Sequence, residues 1–527
     1  MSRIFASAKA LLRNARLREL LRWCLPALIL ALVLRVVLSV HMPFAYFHDD
    51  APDFLTTPDR LIHEHKFELH EKKTFLVPVL FTLPFALPMP AMVTIPLAQH
   101  ALGLGLIVLI GALCRLWFAS WKVFILPLTI LAAINPFFIW YEHTLMAETI
   151  FVVCTALVAL AGTLYAREQT LERFVALCVA LVLEAGARPE GKLLFGFGLL
   201  LVVLLHAREL RAAWRRPAIV IVVALLSHLA TKTSQAGLLL YTSVARLTPA
   251  ALSCAPGFDP YIAPIRANLQ TRWDARPQFP RVRDRKAIAE AVERYLKDDA
   301  SRGQAKRQSD VNKFCLKLAR ETCLRNLAAL PGLAWTKFRL VATESPAAQA
   351  SSDGTRSRAT GFDNALLFDK QREALTDSLD RTLRLSHGLF GTEMKTEPEL
   401  QRWIDTHYGE VPWFNRLSDG WLATVNAWRL ADARYSNPDF PTAPVTYYGV
   451  PFYFLLAAAG VLVAMLRLDL RVFHVTWGLT LIGFLFTIML TANVRPRFRF
   501  VFEPFWFLYA ALLAESLWLG ARRLIRR

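Results

Sequence analysis

Cys24-Leu25-Pro26-Ala27-Leu28-Ile29-Leu30-Ala31-Leu32-Val33-Leu34-Arg35-Val36-Val37-Leu38-Ser39-Val40 decides the class of fold. The run is long enough to cross a bilayer and nearly all apolar, with Arg35 its charged exception. A basic head, Arg13, Arg16, Arg18 and Arg22, precedes it. No small-x-small cleavage site follows, so the run reads as a membrane span and not a removed leader. A few residues on comes Tyr46-Phe47-His48-Asp49-Asp50-Ala51-Pro52-Asp53-Phe54. That order places the Asp49–Asp50 pair at the outer mouth of a membrane protein. Clustered ionisable groups at such a boundary are candidates for function.

The rest of the chain agrees with this class. Its 527 residues are 55% hydrophobic with a net charge of +19. We read spans at about 24–41, 92–114, 123–141, 145–165, 173–187, 192–206, 217–232, 449–466, 475–492 and 500–519. Phe75–Leu87 is apolar but rich in proline and too short to cross, so it reads as a re-entrant or interfacial helix. The basic excess does not call for nucleic acid, because much of it lies in short loops and tails between spans. The expected fold is an all-α integral membrane bundle with interfacial helices. Residues 1–232 form one transmembrane module, with the first outer loop at 42–74. Residues 233–447 form an extracytoplasmic, mainly helical domain, and 448–527 a second transmembrane module.

Orientation follows from the basic loops. Arg115 and Lys122, Arg167 and Arg173, the arginines at 208–216, Arg467 and Arg471, and the C-terminal arginines fall on one side with the N-terminus. The positive-inside rule makes that side cytoplasmic. Two outer loops are basic against the rule: Arg188-Pro189-Glu190-Gly191-Lys192 and Arg495-Pro496-Arg497-Phe498-Arg499. Guanidinium forks grip phosphate oxygens bidentately, so these arginines suit a lipid phosphate. Snorkelling to headgroups is the other explanation, and a different topology a third. Acids gather on the same side, in Tyr141-Glu142-His143 and at Glu148. A carboxylate at Glu148 calls for a polar cavity or a cation. A tie to Arg188 that only holds helices together is the plainer account.

Taken in order, these motifs resemble the GT-C superfamily of glycosyltransferases that use polyprenyl-phosphate sugars, including protein O-mannosyltransferases and lipid A aminoarabinose transferases. Asp49-Asp50-Ala51 is similar to their first-loop acid pair. Asn135-Pro136 through Glu142-His143 and Ala147-Glu148-Thr149 resembles their third and fourth spans. Arg188-Pro189-Glu190-Gly191 and the run from Arg495 to Glu503-Pro504 have counterparts there as well. The likeness covers roughly residues 20–230 and 445–520. The chain departs from it in its long 233–447 insert, and in having Asp where many relatives have Glu. The resemblance implies a GT-C-like bundle with its active site on the extracytoplasmic face of a bacterial inner membrane. It implies a polyprenyl-phosphate-linked sugar donor and a glycan, lipid or protein acceptor.

Sugar transfer from a lipid phosphate needs a base for the acceptor hydroxyl and cations for the leaving phosphate. Asp49 is the expected base and Asp50 its backup. Arg188, Arg495, Arg497 and Arg499 are the phosphate candidates, and Glu142, His143, Glu148 and Glu190 the substrate-binding ones. A helix cap or solvated turn is the non-catalytic alternative for the aspartates. No cofactor is implied. A divalent metal lacks a donor set: His63-Glu64-His65 and His70-Glu71 have the wrong spacing and lie among lysines. His100 and His228, inside apolar segments, read as packing or hydrogen-bonding residues. In the insert, Asp284–Lys297, Val311–Leu330 and Asp363–Ser386 have helical spacing. Cys315 and Cys323 lie too far apart on one helix to bridge, which leaves Cys254 as a partner for either. A lipid-linked sugar flippase, or a ligase using a lipid pyrophosphate donor, is the alternative function.

Overall fold

The computed structural model describes residues 15–46, 51–67, 74–209, 213–230, 241, 258, 260–263, 282–298, 308–332, 383, 386–387, 389–407, 411–414, 416–417, 420–421, 429–435, 446–491 and 501–525. These residues are predominantly helical. The helices are α1 (Ala15–His41), α2 (Ala51–His63), α3 (Leu76–Phe85), α4 (Ala91–Trp117), α5 (Trp121–Ile134), α6 (Pro136–Glu142), α7 (Glu148–Arg167), α8 (Leu171–Ala187), α9 (Leu194–Leu205) and α10 (Arg215–Ala230). They continue with α11 (Val282–Asp298), α12 (Gln308–Arg325), α13 (Glu397–His407), α14 (Phe452–Met465), α15 (Arg471–Thr491) and α16 (Glu503–Ile525). Helices α1, α4, α7 and α16 are each long and apolar enough to cross a membrane, and the bent pair α5–α6 makes a fifth.

Helix α1 shows why the chain belongs in lipid. Leu20, Cys24, Ala27, Ala31, Arg35 and Leu38 form its buried stripe, at steps of three and four residues. The opposite face leaves Leu25, Ile29, Leu32, Val33 and Val36 about half exposed. In water such a face is an aggregation hazard, whereas acyl chains solvate it. The α5–α6 bend of 51° is written at Asn135-Pro136. Proline cannot continue helix α5, but suits the first position of α6. The Asn135 side chain caps α6 by accepting from Phe137 N at 2.9 Å.

One end of the bundle is tied by charges at helix ends and in the loops beside them. Arg115 and Lys122 both reach Glu19, and Arg467 reaches Glu515, which also accepts from Ser120 N. These are loops that the positive-inside pattern assigns to one side. Trp117 fills the space above them, donating to Thr163 and packing on His474 and Tyr509.

A short antiparallel ribbon of β1 (Arg429–Tyr435) and β2 (Thr446–Pro451) departs from the all-helical expectation. Helix α14 therefore starts at Phe452, not at 449. The residue before a proline disfavours the helical region, and Tyr447, Tyr448 and Val450 favour a strand. The described residues of 233–447 that are buried divide between two cores. Helices α11 and α12 make a small core of their own with Tyr241, Phe258 and Ile262. Leu389, Phe390, Met394, Leu400, Ile404 and Phe414 instead join the core of the bundle. Cys315 is buried on α12 and Cys323 half-buried, both as free thiols; residues 363–382 and Cys254 lie outside the described residues.

Helices α14 and α16 make the closest pair, and Gly460 is where they meet. A Cβ there would overlap the backbone carbonyl of Tyr509. Small residues allow such backbone approach in membranes, where lipid supplies little hydrophobic force between helices. Gly460→Ala should cost about 1–3 kcal/mol, since backbone must move. Unfolding in mixed dodecyl maltoside and SDS micelles measures it. An unchanged midpoint would show that the two helices have room to separate.

Candidate functional site

Four buried charged or titratable side chains meet within the bundle, one each from α1, α4 and α6 and one from the turn after α6. Arg35 is 2% exposed and Glu142 1%. Arg35 grips Glu142 with both arms of its fork: Nε donates to Oε2 at 2.6 Å and Nη2 to Oε1 at 2.7 Å. Its Nη1 donates to the carbonyls of Ala31 and Ala133. The same Oε2 lies 2.9 Å from His100 Nδ1. His100 Nε2 is 3.1 Å from His143 Nδ1, and His143 Nε2 is 3.1 Å from the Phe44 carbonyl. The Glu142 carboxylate sits against Gly103 of α4, in space that any Cβ would take. Burial and the neighbouring His100 push His143 down to about 3, so it is a neutral ring at ordinary pH.

This chain of contacts ends on the residues that follow α1. Ala45 N donates to Met92 O, Tyr46 N to His143 O, and Leu145 N to Tyr46 O. Residues 44–46 thus form a strap bonded to the turn after α6 and to the start of α4. Its aromatic rings are covered by residues of 390–407 and 411–414. Phe44 packs on Trp403 and His407, and Tyr46 on Trp140, which stacks on Phe414. Asp49 and Asp50 follow this strap in sequence and lie outside the described residues. So do Arg495, Arg497 and Arg499.

Arg188 and Glu148 do meet. Arg188 extends from the C-terminal end of α8, and its Nη1 donates to Glu148 Oε1 at 2.7 Å. Its Nε reaches Glu190 Oε2 at 3.3 Å, and its guanidinium lies over the Phe151 ring. Glu148 is 1% exposed at the first position of α7, where the helix dipole favours an anion. The plainer account of Glu148, a tie to Arg188, is therefore present. It orients the fork before any ligand arrives. Deeper in α8, Glu184 is buried and hydrogen-bonded to Thr155 at 2.6 Å.

Helix α3 lies between this cluster and the first loop. Phe54 of α2, the helix that follows the aspartates, packs its ring on Phe81 of α3. Phe75 and Leu76, at the start of α3, close on Gly186 of α8. Glu142 and His143, candidates for direct substrate contact by sequence, are instead buried with their polar atoms engaged inside the protein. Arg35 and His100 were not among the sequence candidates. The lone charge in the first span was the signal for Arg35, and nothing in the spacing pointed to its partners.

No protein-family model matches the chain, and no curated protein matches it. The residues themselves establish a helical protein with four or more helices able to cross a membrane.

Proposed function

We propose that the chain is a membrane glycosyltransferase that moves a sugar from a polyprenyl-phosphate donor to an acceptor hydroxyl on the extracytoplasmic face. The observation that carries this reading is the packing of α3. It touches both the helix that follows Asp49-Asp50 and the helix that ends on the Arg188–Glu148–Glu190 cluster. Helix α2, which begins just after Asp50, and an oriented arginine are thereby joined through one helix, and this supports the reading.

In the proposed reaction Asp49 accepts the acceptor hydroxyl proton. The acceptor oxygen bonds to the anomeric carbon, and the bond from that carbon to the phosphate oxygen breaks. Polyprenyl phosphate leaves with the electron pair. Asp50 keeps a second carboxylate close by, which raises the proton affinity of the pair. Arg495, Arg497 and Arg499 hold the phosphate. Arg188 shares its fork between that phosphate and Glu148, while Glu148 and Glu190 orient the sugar. Glu142 and His143 act from beneath, by fixing the strap. The acceptor is a glycan, lipid or protein hydroxyl, and the membrane a bacterial inner membrane with both termini cytoplasmic.

The test is titration of purified protein in lipid vesicles with a polyprenyl-phosphate sugar. A hydrogen bond to a charged group contributes about 1.5–3 kcal/mol, so Arg495→Ala or Arg497→Ala should weaken binding by roughly 10–100-fold. Lysine replacements should restore part of it, since lysine offers a charge and no fork. Arg188→Ala should weaken binding less, because Glu148 and Glu190 already occupy that fork. Unchanged affinity in all three would reduce these arginines to headgroup anchors. Movement of the donor across the bilayer without transfer would favour a flippase.

A further inference from the structure

The His100–His143 contact requires a proton that two neutral imidazoles do not have. His143 Nε2 faces the Phe44 carbonyl, which only accepts, so Nε2 carries a hydrogen. His100 Nδ1 faces Glu142 Oε2. The Arg35 fork holds that carboxylate as an ionised acceptor, so Nδ1 also carries a hydrogen. The two facing nitrogens stand 3.1 Å apart and need one hydrogen between them. Three ring hydrogens result, against two in a neutral pair. Turning either ring over would put carbon at both contacts that ring makes and leave buried polar groups without partners, so the orientations shown are the better-satisfied ones.

We propose that His100 and His143 share one added proton, which makes the pair a cationic clamp fixing the first outer loop to the helix core. His100 is then a positioning residue that acts through His143 on the 44–46 strap. The surroundings suit one added charge. Arg35 comes from α1 and Glu142 from α6, and the histidine pair sets its charge beside the carboxylate that Arg35 already shares. Glu148 at the start of α7 is bound to Arg188. Glu503 starts α16, and His407 of α13 lies across the Phe44 ring. Helix α3 carries no titratable group; on α1, His41 is exposed and bonded to the Val37 carbonyl, and the charges of α5 and of the start of α1 lie at the other end, where Lys122 meets Glu19. Glu142 faces the His100 end of the pair, which sets a carboxylate against the added charge.

The clamp also sets a pH profile. Below about 6.5, the ordinary histidine value, both rings of the unfolded chain take protons while the native pair keeps one. Stability falls there with acid. Above that value the unfolded rings are neutral and the native pair still holds its proton. Stability therefore falls again as rising pH draws the proton off. A pair that only packs, with no added proton, has no alkaline limb.

The experiment uses the full chain in phospholipid nanodiscs with nitrogen-15 in its histidines. At pH 8 one ring should remain protonated on both nitrogens, with a nitrogen–nitrogen coupling across the hydrogen bond to a second ring. His100→Gln should remove both signals, and the alkaline limb of stability with them. The coupling is read on the unaltered protein, so poor folding of the variant leaves the test intact. Spectra at pH 8 in which every histidine is neutral overturn the proposal. So does a doubly protonated ring that survives His100→Gln. Neither outcome depends on whether the chain transfers sugars.

Discussion

Glu142→Ala should lower the stability of the protein by roughly 3–5 kcal/mol, the usual cost of leaving one member of a buried ion pair alone. The cause is Arg35. Its guanidinium lies inside the buried stripe of α1, and Glu142 meets two of its three nitrogens. Without that carboxylate the cation keeps only the carbonyls of Ala31 and Ala133. Glu142→Gln keeps the shape and removes the charge, so it should cost nearly as much. Arg35→Met combined with Glu142→Met should recover most of the loss, because removing both charges also removes the desolvation they bear. The measurement is equilibrium unfolding in mixed micelles, followed by tryptophan fluorescence, across the single and double variants. Losses that simply add would mean that the two residues do not act as a pair.

The same network shows which features a sequence discloses. The helices lie where the apolar runs place them, because length and hydropathy are local properties that lipid selects directly. The single span expected at 123–141 is instead bent at Asn135-Pro136, although the signal lies in those two side chains. The partner of Arg35 was not readable. Glu142 is 107 residues away, and no periodicity links a span to a turn at that separation. His100 reads locally as a histidine among Leu, Ala and Gly, and its role depends on rings from other elements. Helix α13 escaped for a different reason. It is short and charged, and its apolar contribution is a few residues such as Leu400 and Ile404 that join a distant core. The ribbon after it was hidden because Tyr447 to Val450 runs straight into an apolar helix.

Asp49→Asn should reduce sugar transfer by about 100- to 10,000-fold, the range for removing a positioned general base. Donor binding should stay near its starting value. Asparagine has nearly the shape of aspartate and the same acceptor oxygen, but it does not take up a proton at neutral pH. What is lost is therefore proton acceptance in the transition state, read as a fall in kcat with little change in KM. The strap supplies the control. Phe44, Ala45 and Tyr46 are held by His143, Met92 and Leu145 upstream of the substitution, so the histidine coupling and the unfolding midpoint should both be unaffected. A variant that loses transfer and those signals together has lost its loop and says nothing about the base. If Asp49→Asn keeps near-normal turnover while Asp50→Asn is inactive, the two aspartates exchange roles. If both variants turn over normally, neither is the base. The acid pair is then a helix cap or a solvated turn ahead of α2, and the sugar-transfer chemistry proposed for this loop is wrong.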